Sequence, residues 1–69
     1  MYIVIELQTT GGQTANIVQT KETKEEAMSA FHSIMAAAAI SQVEYHAAIV
    51  VDRTGRFIAK ECYEHIATN

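Results

Sequence analysis

Sixty-nine residues with a single cysteine, a formal net charge of −3 and five Lys and Arg in all leave room for one hydrophobic core and no internal disulfide framework. A phosphate backbone is gripped by many cations that release counterions, so this composition argues against DNA or RNA, while two or three cations with backbone N–H groups still suffice for a small anion. A chain this short buries only about 60% of the surface its unfolded form exposes, and with no disulfide to help, a homo-oligomer is expected.

Residues 1–10 have no basic leader and carry Glu6 inside the apolar run, which predicts no secretory signal, no membrane span and a cytoplasmic protein. Residues 2–8 alternate as a strand, with Ile3, Ile5 and Leu7 on one side and Tyr2, Val4, Glu6 and Gln8 on the other. The first set is expected to meet the core. Gly11 and Gly12 sit in a turn, and residues 15–20 read as a shorter, more polar edge strand that closes a hairpin. Thr23 with Glu26 matches a capping box, and Ala-rich sequence carries a helix to about Ile40. Ala27, Phe31, Ile34 and Ala38 share one stripe, flanked by Ala30 and Met35, which should lie on the sheet. The alanines at 36–39 let another backbone come close.

Residues 43–52 and 56–64 form a second hairpin around Asp52-Arg53-Thr54-Gly55. A bulged three-residue loop pairs Asp52 with Arg56, Val50 with Ile58, Ala48 with Lys60 and His46 with Cys62. The other side holds Tyr45, Ala47, Ile49 and Val51 with Tyr63, Glu61, Ala59 and Phe57, and as the more apolar set it should face the helix. The fold class is α+β: one domain over residues 1–69, a single-layer four-stranded antiparallel sheet with strand order 2-1-3-4 and one helix packed on one face, β-β-α-β-β. The uncovered face then carries Tyr2, Val4, Ala48, Val50, Ile58 and Cys62 beside His46, Arg56 and Lys60. Such a half-apolar open sheet is an interface or a binding surface.

Chemistry has few carriers in this chain. A zinc site wants four ligands in two close pairs, and Cys62-x-x-His65 is a lone pair, so neither metal nor cofactor is expected. Cys62 opposite His46 could make a nucleophile and base, yet no nucleophile elbow or oxyanion loop accompanies them. Glu22, Glu25 and Glu26 belong to a helix start rather than to an acid-base pair. An enzyme is therefore not expected. Arg53, Arg56 and Lys60 make the second hairpin the most electropositive stretch, either as solubilising partners of nearby carboxylates or as a shallow anion surface with His46 and a stacking tyrosine.

Phe31-His32-Ser33-Ile34-Met35 leading into the alanine run, His46-Ala47-Ala48, and Glu61-Cys62-Tyr63-Glu64-His65 give a pattern that resembles small proteins encoded by phages and prophages of Gram-positive gut bacteria. The resemblance implies a phage setting, where short oligomeric proteins block host defence. One such strategy is a sponge that sequesters a nucleotide-type immune signal without cleaving it, and this chain is similar to sponges in size and architecture. On that basis the expected function is non-enzymatic sequestration of a small nucleotide-like ligand between subunits. His32, His46, Tyr63 and His65 are the expected contacts, and Arg56 and Lys60 the charge complements. The alternative is a protein-interaction module, a host-enzyme inhibitor or minor virion or assembly component, acting through its open sheet face.

Overall fold

In the computed structural model, which describes residues 1–65, the chain runs β1 (Tyr2–Thr10), β2 (Gln13–Lys21), α1 (Lys24–Ala39), β3 (Tyr45–Asp52) and β4 (Phe57–Glu64). The four strands form one antiparallel sheet in the order β2-β1-β3-β4, with the helix on one face. Residues 66–69 of the single-domain reading lie outside the described residues.

The local elements follow their chemistry. Gly11 and Gly12 take φ of 61° and 79°, the type I′ geometry that joins two strands in two residues and that side chains resist. Thr23 caps the helix: its hydroxyl accepts from the Glu26 backbone N–H at 3.2 Å and donates to the Glu26 carboxylate at 3.0 Å, satisfying an otherwise orphaned donor. Gly55, at φ 88°, closes the second turn, where its N–H reaches the Asp52 carbonyl at 3.0 Å.

The core lies between α1 and the sheet. Ala27, Phe31, Ile34, Met35 and Ala38 are buried against Val4, Ala48 and Val50. The helix stripe is the one expected, but the sheet face beneath it is not. Val4, His46, Ala48 and Val50 point at the helix, while Ile3, Ile5, Leu7, Ala47, Ile49 and Val51 stay half-buried on the open side.

Handedness supplies the reason. In a type I′ hairpin the flanking residues, here Thr10 and Gln13, exchange both backbone hydrogen bonds. Alternation then directs the N–H and C=O of even-numbered β1 residues to β2 and those of odd-numbered ones to β3. For an L-residue on an upward strand with its side chain toward the viewer, those groups point right. Seen from the helix, Val4 therefore has β2 on its right and β3 on its left. β2 and β3 are both antiparallel to β1, hence parallel to each other, and the connection through α1 is a right-handed crossover. Had Ile3, Ile5 and Leu7 faced the helix, the same connection would be left-handed, the hand found in only about 2% of such units.

The second hairpin is also shifted from the expected register. Val51 pairs with Phe57 but Val50 with Ala59, so Ile58 is an extra residue in a bulge. Beyond it Ala48 opposes Glu61, Ala47 opposes Cys62 and His46 opposes Tyr63, not Cys62. The bulge lets Ile58 and Ala59 both pack at the edge of the core, which a regular ladder would forbid because successive side chains point to opposite faces.

Ala48 and Ala47 separate the two faces cleanly. Ala48→Leu adds bulk under the helix where nothing can give and is expected to lower the unfolding free energy by about 1–3 kcal/mol. Ala47→Leu, one residue along, should cost less than about 0.5 kcal/mol. Urea denaturation of the two variants reads the difference, and a reversed ranking would mean that the helix covers the other face.

Candidate functional site

Helix α1 ends over β3, and the polar groups of the fold collect beneath that end. Glu6 and Gln8 share the Val4 side of β1, and His46 lies directly opposite Gln8 on β3. His46 is 4% exposed. Its Nε2–H donates to Glu6 Oε2 at 2.6 Å, and its Nδ1 meets Ser41 Oγ at 3.1 Å. Gln8 Nε2 donates to the same Glu6 oxygen at 2.9 Å, and Ser41 Oγ donates to the Ala38 carbonyl at 3.2 Å. From the end of β4, His65 Nε2–H donates to Ala38 O at 2.7 Å, placing a ring donor at the negative pole of the helix. Tyr63 stacks on His65 with ring centroids 6.2 Å apart and planes 13° from parallel.

Serine, histidine and glutamate in a hydrogen-bonded row carry the residue types of a hydrolytic triad, but the surroundings oppose that chemistry. Ser41 Oγ sits against the carbonyl end of the helix, where a developing oxyanion would face C=O dipoles instead of N–H donors. What the row does is tie β1, β3 and the helix terminus together, since a buried polar group is tolerated only when its partners are present. Among the described residues no buried side-chain nitrogen or oxygen lacks a hydrogen bond.

The six residues expected to bind a ligand fall into separate places. His46, Tyr63 and His65 meet at the helix C-terminal end. His32 is exposed on α1, edge-on to Phe31 at 5.5 Å between centroids. Arg56 is in the exposed turn at the far end of β3, its N–H donating to the Asp52 carboxylate. Lys60, opposite Ile49, is on the open face, with Nζ 5.3 Å above the Phe57 ring. One chain does not gather them into a single pocket. Cys62, opposite Ala47, also belongs to the open side, so the sheet separates it from His46 and the two cannot act as nucleophile and base. Among the described residues no group of three His, Cys, Asp or Glu side chains converges as a metal site would require. Nor is any helix among them long and apolar enough to cross a membrane.

Compared with protein-family models, curated proteins and solved structures, the chain matches none. The largest surface feature is the open side of the sheet. Ile3, Ile5 and Leu7 of β1 stand beside Ala47, Ile49 and Val51 of β3, with Val18 of β2 58% exposed and Phe57 of β4 61% exposed. Toward β4 the surface dips into a shallow groove of about 390 Å³ lined by Ala47, Ile49, Lys60, Glu61 and Cys62. The expected open surface, built on Val4, Ala48 and Val50, is thus replaced by one built on Ile3, Ile5, Leu7, Ala47, Ile49 and Val51. Glu6, Gln8 and Ser41 were also missed as partners of His46. Period-two spacing from Val4 marks the first two, and Ser41 stands just past the helix end, where hydroxyls bond free carbonyls.

Removing His46 should cost stability. His46→Ala leaves the Glu6 carboxylate short of a donor in a half-buried place and is expected to destabilise by about 2–3 kcal/mol, against less than about 0.5 kcal/mol for exposed His32→Ala, both read by thermal and urea unfolding. At the other end, Asp52 titrates below the ordinary aspartate range: the Thr54 hydroxyl hydrogen bond lowers it most, against an opposing effect of burial, with the backbone N–H groups of Arg56 and Thr54 and the Arg56 charge adding to the lowering. A depressed folded value means that this turn contributes stability above the unfolded-state value and loses it as pH falls through the folded one. NMR titration of the Asp52 carboxyl should show the low midpoint, and Thr54→Val should move it upward. A midpoint unaffected by Thr54→Val would remove the hydroxyl as the main cause.

Proposed function

We propose that this chain is a non-enzymatic protein-interaction module whose working surface is the open face of its sheet. The observation that carries the reading is the row of Ile3, Ile5, Leu7, Ile49 and Val51 left uncovered while the helix sits on the smaller residues Val4, Ala48 and Val50. Four strands about 4.8 Å apart and eight or nine residues long span on the order of 500 Å², the share that one partner contributes to a modest specific interface of about 1,000 Å² in total. Charge is confined to one side of this face: Lys60 and Glu64 lie on β4, leaving an apolar centre and a polar rim, as protein interfaces have. The partner that fits is a protein surface apolar at its centre. The resemblance to phage proteins adds a setting, inhibition of a host enzyme or a role in virion assembly in the host cytoplasm.

Sequestration of a nucleotide-type signal is the second reading. The near-parallel rings of Tyr63 and His65 offer an aromatic surface of the kind bases stack on, and Lys60 or Arg56 would have to come from another copy to meet phosphates. It predicts a nucleotide mass retained by an oligomer.

Native mass spectrometry of the chain purified from phage-infected cells separates the two. A stoichiometric protein partner that is lost with Ile49→Glu and kept with His32→Glu, both variants folded by circular dichroism, is the expected result. A partner bound equally by Ile49→Glu, or a retained nucleotide with no protein partner, overturns the interaction reading.

A further inference from the structure

The two outer strands of the sheet are not alike. β4 is broken by the bulge at Ile58 and carries Lys60, Glu61 and Glu64, the charges and irregularity with which proteins blunt an exposed edge. β2 pairs with β1 over nine uninterrupted positions, from Gln13 to Lys21, and holds no charge, no proline and no bulge before Lys21. Residues 13–18 are all exposed, including Ile17 at 51% and Val18 at 58%. An unprotected edge with two exposed β-branched residues is a template for another strand.

Hydrogen-bond parity says which strand fits. Thr10 and Gln13 flank the type I′ turn and bond each other, so Gln13, Ala15, Ile17, Gln19 and Lys21 spend their backbone groups on β1. The outward N–H and C=O groups belong to Thr14, Asn16, Val18 and Thr20. A second β2, antiparallel and centred on Ile17, brings Thr14 opposite the partner's Thr20 and Asn16 opposite the partner's Val18. Every bonding pair then joins two outward-facing residues. The same register overlaps the full strand, places Gln13 opposite the partner's Lys21 without like charges meeting, and sets the two copies of Ile17 face to face in a non-hydrogen-bonded pair. Shifting the centre by a single residue would keep outward residues paired only with one another and lose one end of the overlap on each strand; shifting it by half a residue would oppose outward groups to inward ones.

We infer that β2 is the pairing edge for a second copy of this chain, joining two four-stranded sheets across a twofold axis at Ile17 into one antiparallel sheet of eight strands. The axis is perpendicular to the sheet, so both helices lie on the same side and both open faces on the other. Val18 and Asn16 bring the two apolar surfaces into continuity, doubling the surface described above, although the pairing does not depend on what that surface binds.

Cysteine cross-linking on the full chain tests the axis, with Cys62→Ser removing the native thiol. Across a non-hydrogen-bonded pair the two Cα atoms are about 4.5 Å apart, within the roughly 4.4–6.8 Å a disulfide spans. Ile17→Cys should oxidise to a covalent dimer, and Gln19→Cys, on the same side of β2 but opposite the partner's Ala15, should not. In the unmodified chain, amide exchange at Thr14, Asn16, Val18 and Thr20 should slow by roughly tenfold or more as concentration rises, while the intervening amides, already bonded to β1, change little. Cross-linking at both positions alike or at neither, or exchange of those four amides independent of concentration, overturns the inference. Ile49→Glu, which disables the open face, should leave the Ile17→Cys dimer intact.

Discussion

The hand of the crossover from β2 through α1 to β3 is the constraint on which the rest of this fold depends. The two-glycine turn fixes which β1 residues bond to β2, L-chirality then fixes which side of the sheet those residues face, and right-handedness puts the helix on that side. Burial preference enters only afterwards. Val4, Ala48 and Val50 lie under the helix because the connection brings it there, and their modest size lets Phe31, Ile34 and Met35 fill the space between the layers.

The consequence is a domain in which the larger apolar residues of the sheet lie outside its core. A sheet face bearing Ile3, Ile5, Leu7, Ile49 and Val51 would satisfy a helix as well as the one that is covered. Left open, it is the surface on which the proposed interaction rests. A small core gains little from its own burial, and under the proposed function this surface would supply through contact with another protein what disulfides supply in other small domains. The proposed β2 pairing and the proposed open-face contact are independent of each other, one resting on backbone hydrogen bonds and the other on apolar contact.

Two of the histidines hold the fold together. Imidazole can ligate, titrate and shuttle protons, yet the two ring nitrogens of His46 are taken up by Glu6 and Ser41, and His65 bonds the Ala38 carbonyl near the helix end. They close the end of the helix over the sheet. Polar side chains placed in this way make the packing of α1 specific, because a slip of the helix would part the His46 ring from Ser41 and the His65 ring from the Ala38 carbonyl.

Much of the architecture is legible in the residues alone. Strand periodicity, the Thr23–Glu26 cap, the helix stripe and the glycine turns give the four strands, the helix and the hairpins, since each is set by neighbours in the chain, and connection rules give the sheet order. Three features are decided only in three dimensions. The covered face follows from crossover hand, to which apolar counts are blind when both faces are apolar. The register of β4 follows from the bulge at Ile58, a one-residue insertion that core packing rewards and local propensity does not reveal. The candidate site follows from both: once the faces exchange and the register slips, His46 and Cys62 lie on opposite sides of the sheet, and the proposed interaction surface passes from the polar residues to Ile3, Ile5, Leu7 and Ile49. Sequence sets what each segment becomes, because those forces are local. Which side each side chain reaches is a property of the assembled sheet.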